Sequence, residues 1–516
     1  MDLIIPIDSD QTTPLYEQIY AYIRQEIRGR SIRAGEKLPS TRILADHLKV
    51  SRSTTQLAYD QLLAEGYIRS EPCRGYFVQE IEELRDPEAF RQTGKTIREK
   101  DGGSLSAAFS EKTSGETLPT DRERAGIRPF AEDEPFTEPS SFADDRIDFS
   151  PRGIDLDHFP YSVWSKLTRE ILRGEEQEER KELFRTGSPQ GEPELRRAIL
   201  RYLHTSRGVS CGEEQIIIGA GSEYLLMLLT RILGEARSIA MENPTYSQAT
   251  RVFRSMGYPI RPVAMDRSGL SLQELQKSGA QLAYVMPSHQ YPTGIVMPAA
   301  RRQELLRWAG ETEERYLIED DYDSEFRYKG KPIPALQGMD RQEKVIYIGT
   351  FSKSIAPAIR VGYLVLPPRL LAVYREKCWF YTSTVSRIDQ KILTRFLEEG
   401  HYERHLNRMR AIYRGKHDCL LEALQALSAD FIISGEHAGI HILLTAKRGQ
   451  SEEELITQAA RAGVTVYPFS SYDISGSRQE AASTVILGYA NVSPEQIREG
   501  VRRLGLAWGE TGKPEV

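Results

Sequence analysis

Cysteine is scarce in this chain: Cys73, Cys211, Cys378 and Cys419 are scattered through 516 residues, with no C-x-x-C pair and no compact framework. That argues against a disulfide-stapled fold or a zinc ribbon and predicts a reducing cytoplasm. No stretch approaches the roughly 20 apolar residues of a membrane helix. The amino terminus, MDLIIPIDSDQTTP, lacks a basic segment ahead of a long apolar one, so a soluble, unprocessed protein with no membrane partner is expected. Net charge is -6, so any nucleic-acid binding must come from local basicity. A P-loop, a Rossmann glycine fingerprint, a G-x-S-x-G nucleophile and an H-E-x-x-H zinc motif are all missing. His401 and His405 have the i, i+4 spacing of a zinc pair but no third ligand, so no metal site is expected. His158 and His204 read as structural.

What is there divides into three. At 40% hydrophobic and 28% charged residues, the length suits two or three domains with substantial cores. Residues 1–80 hold a compact helical pattern. Pro14 opens a helix whose apolar positions are Leu15, Ile19, Tyr22, Ile23 and Ile27, ending at Gly29. Ser40 is placed as the cap of a second helix carrying Ile43, Leu44 and Leu48. Ser51 is placed as the cap of a third, carrying Leu57, Ala58, Leu62 and Leu63. Only Lys49 and Val50 separate these two, and YIRS and GYFVQ then form a strand pair. This is the pattern of a winged helix-turn-helix.

The third helix begins Ser51-Arg52-Ser53-Thr54-Thr55-Gln56, a polar and cationic end suited to a DNA major groove. Ten Lys/Arg stand against eleven Asp/Glu in residues 1–80, so binding depends on Arg42, Arg52 and Arg74 sharing a face. A solvated helical hairpin is the alternative. The run TPLYEQIYAYIRQEIRGRSIRAGEKLPSTRILADHLKVSRSTTQLAYDQLLAEGYI resembles the DNA-binding domain of GntR-family bacterial transcription regulators. The resemblance implies DNA contacts at Arg42, Ser51, Arg52, Thr54, Gln56 and wing-tip Gly75. Many relatives carry a second glycine where this wing reads Cys73-Arg74-Gly75, which implies a stiffer wing.

Residues 81–145 are polar, rich in Glu, Ser, Thr and Pro, and read as a flexible linker with a short helix near Pro87–Gln92. Residues 146–510 alternate strands with helices, the grammar of a doubly wound α/β domain, and end in a small α/β subdomain around GIHILLTA and TVILGYA.

Within that domain, YIGTFSKSIAPAIRVGY sets Lys353 among anion-binding residue types, Thr350, Ser352 and Arg360, after a strand-like run. A solvent-facing loop lysine is the bland reading. Ligands of such sheets bind beyond the carboxyl ends of the strands, and other strand ends supply further parts. Gly219-Ala220-Gly221-Ser222-Glu223 offers N–H groups and a hydroxyl to a phosphate. Asp320-Asp321-Tyr322-Asp323 offers a carboxylate for a pyridine nitrogen and a tyrosine for a phenolic oxygen, although acidic clusters also bind metals or face solvent. Tyr246 offers an aromatic face. Together these are the parts of a pyridoxal 5'-phosphate site, whose Schiff-base lysine needs a depressed pKa, here expected from burial and Arg360.

The domain resembles fold-type I aminotransferases. The resemblance implies Lys353 as the Schiff-base lysine, Asp320 as the pyridine partner, Tyr322 on the phenolic oxygen and Tyr246 stacked on the ring. It places Ser222, Glu223, Thr350, Ser352 and Arg360 at or beside the phosphate. Three departures stand out. The usual Asn-Pro-x-Gly reads Tyr291-Pro292-Thr293-Gly294, leaving His289 or Gln290 as substitutes for the asparagine. Ile486 occupies the place of the arginine that binds a substrate α-carboxylate. Thr186 replaces a tyrosine that reaches the neighbouring subunit's phosphate. Efficient turnover is therefore not expected.

Head, linker and large domain in this order resemble the MocR-type regulators. That implies a head-to-tail homodimer binding operator DNA, with pyridoxal phosphate and a small amine or amino acid as the signal. A DNA-binding aminotransferase, or a sensor of pyridoxal phosphate itself that controls vitamin B6 synthesis, are the alternatives.

Overall fold

The computed structural model describes residues 5–7, 13–29, 31–71, 74–79, 146–174, 177–235, 237–327, 333–435, 439–447, 449–476 and 483–509. The expected helix near Pro87–Gln92 and the linker around it lie outside the described residues.

The head consists of α1 (Leu15–Arg28), α2 (Thr41–Leu48), α3 (Arg52–Ala64) and the antiparallel strands β1 (Ile68–Glu71) and β2 (Gly75–Val78). Pro14 stands one residue before α1, where its missing N–H costs nothing. The Ser40 hydroxyl accepts from the Ile43 N–H and the Ser51 hydroxyl from the Thr54 N–H, as capping serines do. Lys49 adopts a left-handed conformation, φ 57°, which closes α2 and lets α3 begin three residues later. Ile19, Ile23, Ile27, Leu44, Ala58 and Leu62 meet in one core, and truncating any of the larger ones to alanine should cost roughly 2–5 kcal/mol. Ile43 is a correction: expected on the apolar side of α2, it is 62% exposed. Its neighbour Leu44 takes the inward position.

The large domain carries the remaining strands: β3 (Ile147–Asp148), β4 (Ile216–Gly219), β5 (Ile239–Asn243), β6 (Ile260–Asp266), β7 (Gly269–Leu270), β8 (Leu282–Val285), β9 (Tyr316–Asp321), β10 (Val345–Thr350), β11 (Gly362–Val365), β12 (Phe431–Ser434), β13 (His441–Ala446), β14 (Val464–Thr465), β15 (Tyr467–Pro468) and β16 (Thr484–Gly488). The main sheet runs β4-β11-β10-β9-β8-β5-β6-β7. Strands β10, β9, β8, β5 and β6 are parallel, and β11 lies antiparallel between β4 and β10. The central strands are buried along their whole length, which explains runs such as LAYV and VIYIG without alternation. A second, antiparallel sheet runs β12-β13-β16-β15.

The head rests on the large domain. The Ala299 N–H, at the start of the helix Ala299–Gly310, donates to the Glu65 carbonyl at 2.9 Å. Gly66 has φ 72°, and a Cβ there would fall 2.6 Å from Pro298, so a side chain would force the two apart. A cleft of about 800 Å³ lies alongside this contact, lined by Tyr20, Arg24 and Glu65 of the head and by Arg207, Tyr402 and Arg410 below. None of Lys353, Asp320 and Tyr322 lines it.

Candidate functional site

The ends of β9 and β10 and the start of the helix Gly221–Leu233 bring the expected pocket residues into one neighbourhood. Strands β9 and β10 pair in parallel register, Ile348 beside Asp320 and Gly349 beside Asp321, so Thr350 leaves the sheet next to the acidic cluster. The Ser352 N–H donates to the Thr350 hydroxyl at 3.1 Å, folding the turn that carries Lys353. The Lys353 amine donates to the carbonyls of Arg152 at 3.0 Å and Pro151 at 3.3 Å. Burial pushes this amine down to about 8, against the pull of Asp323 and with a smaller push from Arg152. Arg360 is not the cationic neighbour that was expected. It pairs instead with Glu223 at 2.6 Å and reaches the Ala220 carbonyl at 3.3 Å.

That pairing organises the helix start. Gly221 has φ 86°, and a Cβ there would lie 2.4 Å from an Arg360 Nη, so glycine is what admits the guanidinium to the first turn. Ser222 and Glu223 follow in the same turn, and the Ala220 N–H donates to the Thr384 hydroxyl at 3.0 Å. Backbone N–H groups, the hydroxyls of Ser222 and Thr384 and a guanidinium thus collect around one short stretch, a donor set suited to a phosphate.

Asp320 is buried and accepts from the Tyr284 hydroxyl. Burial, reinforced by Asp321, Asp323 and Glu223, raises its carboxyl to about 7. Asp321 and Asp323 have other partners. Asp321 receives Arg207 at 2.7 Å and the Tyr347 hydroxyl, and Asp323 lies 2.9 Å from His289 Nδ1. The Tyr322 hydroxyl also meets His289 Nδ1, at 2.8 Å, and its ring stacks on the imidazole. Of the two substitutes considered for the missing asparagine, His289 is the one at the tyrosine. Gln290 is spent elsewhere, donating to the Pro244 carbonyl beyond the end of β5 and accepting from Thr293 in its own loop. Tyr246 caps the helix Ser247–Ser255 and packs edge-on against Tyr291, with ring centroids 6.2 Å apart.

Ile486 is completely buried in β16, opposite Leu443 and Tyr467. Thr186 is exposed. His405 bonds the Ser354 carbonyl, and His158 lies 2.9 Å from Asp155. Arg152 was not anticipated. Its only mark in the sequence is an arginine in the turn after a short strand, too weak a signal to separate it from many surface arginines.

On the head, Arg42, Ser51 and Arg52 are exposed and Thr54 is half-buried. Neither Arg42 nor Arg52 has a carboxylate partner among the described residues. Arg74 lies in the turn of the wing and is tied to Glu71 at 2.5 Å rather than standing free. Gln56 donates to Asp60 at 2.9 Å, and Gly75 turns the wing with φ 106°.

The comparisons agree with both halves. Residues 15–78 match the family described as bacterial regulatory proteins of the gntR family, and residues 156–504 match aminotransferase class I and II. A Bacillus subtilis protein described as the uncharacterized HTH-type transcriptional regulator YdeL is 38% identical over 98% of this chain and all of its own. The probable rhizopine catabolism regulatory protein MocR of Rhizobium meliloti is 33% identical over 98% of this chain and 96% of its own. This chain belongs to the MocR-type branch of the GntR family. Another member similar to it, the pyridoxine biosynthesis regulator PdxR of Corynebacterium glutamicum, is 30% identical over 96% of each chain. Among solved structures, Pyrococcus horikoshii kynurenine aminotransferase superposes with a TM-score of 0.62 at 25% identity, covering 72% of this chain and 93% of that one. The large domain of this MocR-type chain therefore has the fold-type I aminotransferase architecture, with a mixed central sheet.

Proposed function

We propose that this chain is a pyridoxal 5'-phosphate-dependent transcription regulator that reads a small amine in its large domain and operator DNA with its head. The observation that carries the reading is the Lys353 amine, lowered to about 8 and gathered with Asp320, Tyr322 and a phosphate-type donor set in a chain that also bears a helix-turn-helix. The residues fit the cofactor: Gly221 leaves room for Arg360 at a helix start, and Asp320 keeps a buried carboxyl ready for a cationic N–H. When bound, pyridoxal phosphate supplies an aldehyde that condenses reversibly with a primary amine.

The chain's own residues do the rest. Lys353 offers an amine that gives up its proton far more readily than an ordinary lysine, Asp320 would accept from the ring nitrogen, and Ser222, Thr350, Ser352 and Arg360 would hold the phosphate. Glu223 orients Arg360, Tyr246 would cover the ring, and the Asp323–His289 pair fixes the Tyr322 hydroxyl. Two connections lead from pocket to head. Asp321 beside Asp320 grips Arg207, which lines the interdomain cleft, and the segment from His289 to Ala299 ends on the Glu65 carbonyl. A ligand that binds one arrangement of these connections better than another shifts the head with it.

Turnover is poor on this reading. The back-wall arginine is replaced by buried Ile486 and the asparagine by His289, so binding groups persist while positioning groups are lost. The chain works as a head-to-tail homodimer in the bacterial cytoplasm, on the nucleoid when bound to DNA. A sensor of pyridoxal phosphate itself is the second reading, favoured by the 30% identity with a pyridoxine biosynthesis regulator. The test of the cofactor is borohydride reduction of reconstituted protein followed by peptide mapping. Label on Lys353 is expected, and label on another lysine, or none, would contradict it.

A further inference from the structure

Two protons lie beside the Tyr322 ring, and the geometry fixes where each one sits. His289 Nδ1 is 2.9 Å and 3.2 Å from the two oxygens of Asp323, and both residues are only 2% exposed. A carboxylate and an imidazole lone pair repel each other at that distance, so a proton lies between them, and the imidazole, the stronger base, holds it. The other ring nitrogen agrees. His289 Nε2 is buried without a hydrogen-bond partner, close to Gly439, where a Cβ would collide with the ring, and to Gly294, where one would lie 3.5 Å from Nε2. A proton on Nε2 would be a buried donor without an acceptor, so the lone pair belongs there.

The Tyr322 hydroxyl is 2.8 Å from the same Nδ1. With a proton already on Nδ1, the Tyr322 oxygen accepts there and its own hydrogen points elsewhere. Asp323 is near enough to draw that hydrogen, but both of its oxygens already face Nδ1. Tyr291, in the place of the usual asparagine, gives no help, because its hydroxyl is engaged with that of Tyr472 at 2.8 Å. We infer that Asp323 and His289 are positioning residues that aim the Tyr322 proton: the carboxylate keeps the imidazole proton on Nδ1, and the Tyr322 hydrogen is thereby left for the phenolic oxygen of the cofactor. This rests on the cofactor reading above and adds to it which residue controls the donor. A donor at that oxygen stabilises its ionised form and so lowers the pH at which the bound cofactor changes its absorbance.

The experiment is a pH titration of the cofactor absorbance of the reconstituted full-length protein, wild type against Tyr322→Phe, Asp323→Ala and the double variant. Tyr322→Phe should raise the midpoint by about one pH unit, the scale of one hydrogen bond to a charged group, or bring it into view where the wild type stays in one form. Asp323→Ala frees Nδ1 to accept from Tyr322 and should shift the midpoint the same way. The double variant should go no further than Tyr322→Phe alone, because both changes remove the same hydrogen bond. The sign separates this from a plain charge effect: a carboxylate acting only through its negative charge would, on removal, make the cofactor harder to protonate and lower the midpoint. His289→Leu, which keeps that charge, should also raise it and covers the case in which Asp323→Ala does not fold. A midpoint that stays or falls in the single variants, or shifts that add in the double one, would overturn the inference while the cofactor reading stands. A wild-type protein that never acquires cofactor absorbance would overturn both.

Discussion

In the head, the residues proposed to meet DNA stand in water: Arg42 and Arg52 are exposed, carry no acid partner among the described residues, and sit on a helix pair fixed by serine caps. In the pocket the corresponding groups are perturbed, with buried Asp320 raised to about 7 and half-buried Lys353 lowered to about 8. The difference follows from the ligand. A DNA phosphate arrives hydrated and is met by full charges whose benefit comes from releasing counterions. A small cofactor must be held in place and kept reactive, which calls for burial and shifted protonation. Changes in the head should therefore act on affinity and its salt dependence, and changes in the pocket on protonation and cofactor retention.

The largest separation is expected from Lys353→Ala. It should abolish borohydride-trapped cofactor completely while the head still binds a selected operator, measured by mass spectrometry and by DNA titration. Loss of both would mean the two regions fold as one unit. In the cofactor-free wild type, reactivity of Lys353 toward a limiting acylating reagent should be half-maximal near pH 8, well below an ordinary lysine.

Asp320→Asn comes next. The folded carboxyl is raised to about 7 from an unfolded value near 3.9, so the folded state binds the extra proton between those pH values. Wild-type stability therefore bears the full cost of the buried charge above pH 7, sheds it as pH falls toward 4, and bears none below. The variant should hold cofactor far less well yet melt higher than the cofactor-free wild type at pH 8, with the gap closing below pH 4. A constant gap across that range would show that the carboxyl is not shifted.

Arg52→Ala should cost about 1–3 kcal/mol of operator affinity and relax specificity at one base pair, leaving cofactor absorbance unchanged. If Arg52 touches only phosphate, all sequences weaken alike and the salt slope falls by about one. Ser51→Ala is the smallest change, near 1 kcal/mol of head stability from the lost cap at the Thr54 N–H, read by thermal unfolding. Ser51→Gly should lose only a few tenths, separating the cap from any DNA contact of the hydroxyl.

Much of this was legible in the chain because local signals and tertiary structure agree. Ser40, Ser51 and the period of Ile19, Ile23 and Ile27 are short-range features, and short-range physics sets caps and helix faces. The strand runs before Gly219, Asp320 and Thr350 were also readable, since parallel strands buried on both faces are continuously apolar. What escaped depends on distant partners. Arg360 resembled a neighbour of Lys353 in sequence but is captured by Glu223, 137 positions away. Arg152 reaches Lys353 across 201 positions, and no local pattern announces that. Ile43 looked like core because helical periodicity tolerates either Ile43 or Leu44 as the inward residue, and packing against α3 made the choice.

The central claim is that the pocket's ligand state governs the head. The direct measurement is operator affinity of the full-length protein at one fixed salt concentration, by fluorescence anisotropy, in three states: cofactor-free, reconstituted with pyridoxal phosphate, and reconstituted with β-alanine added. The account predicts that affinity differs between at least two of these states by about fivefold or more, the scale of a coupling between two sites, while the salt slope stays constant because the same head residues meet the DNA. Identical affinities in all three states, from a head that still requires Arg52, would contradict it.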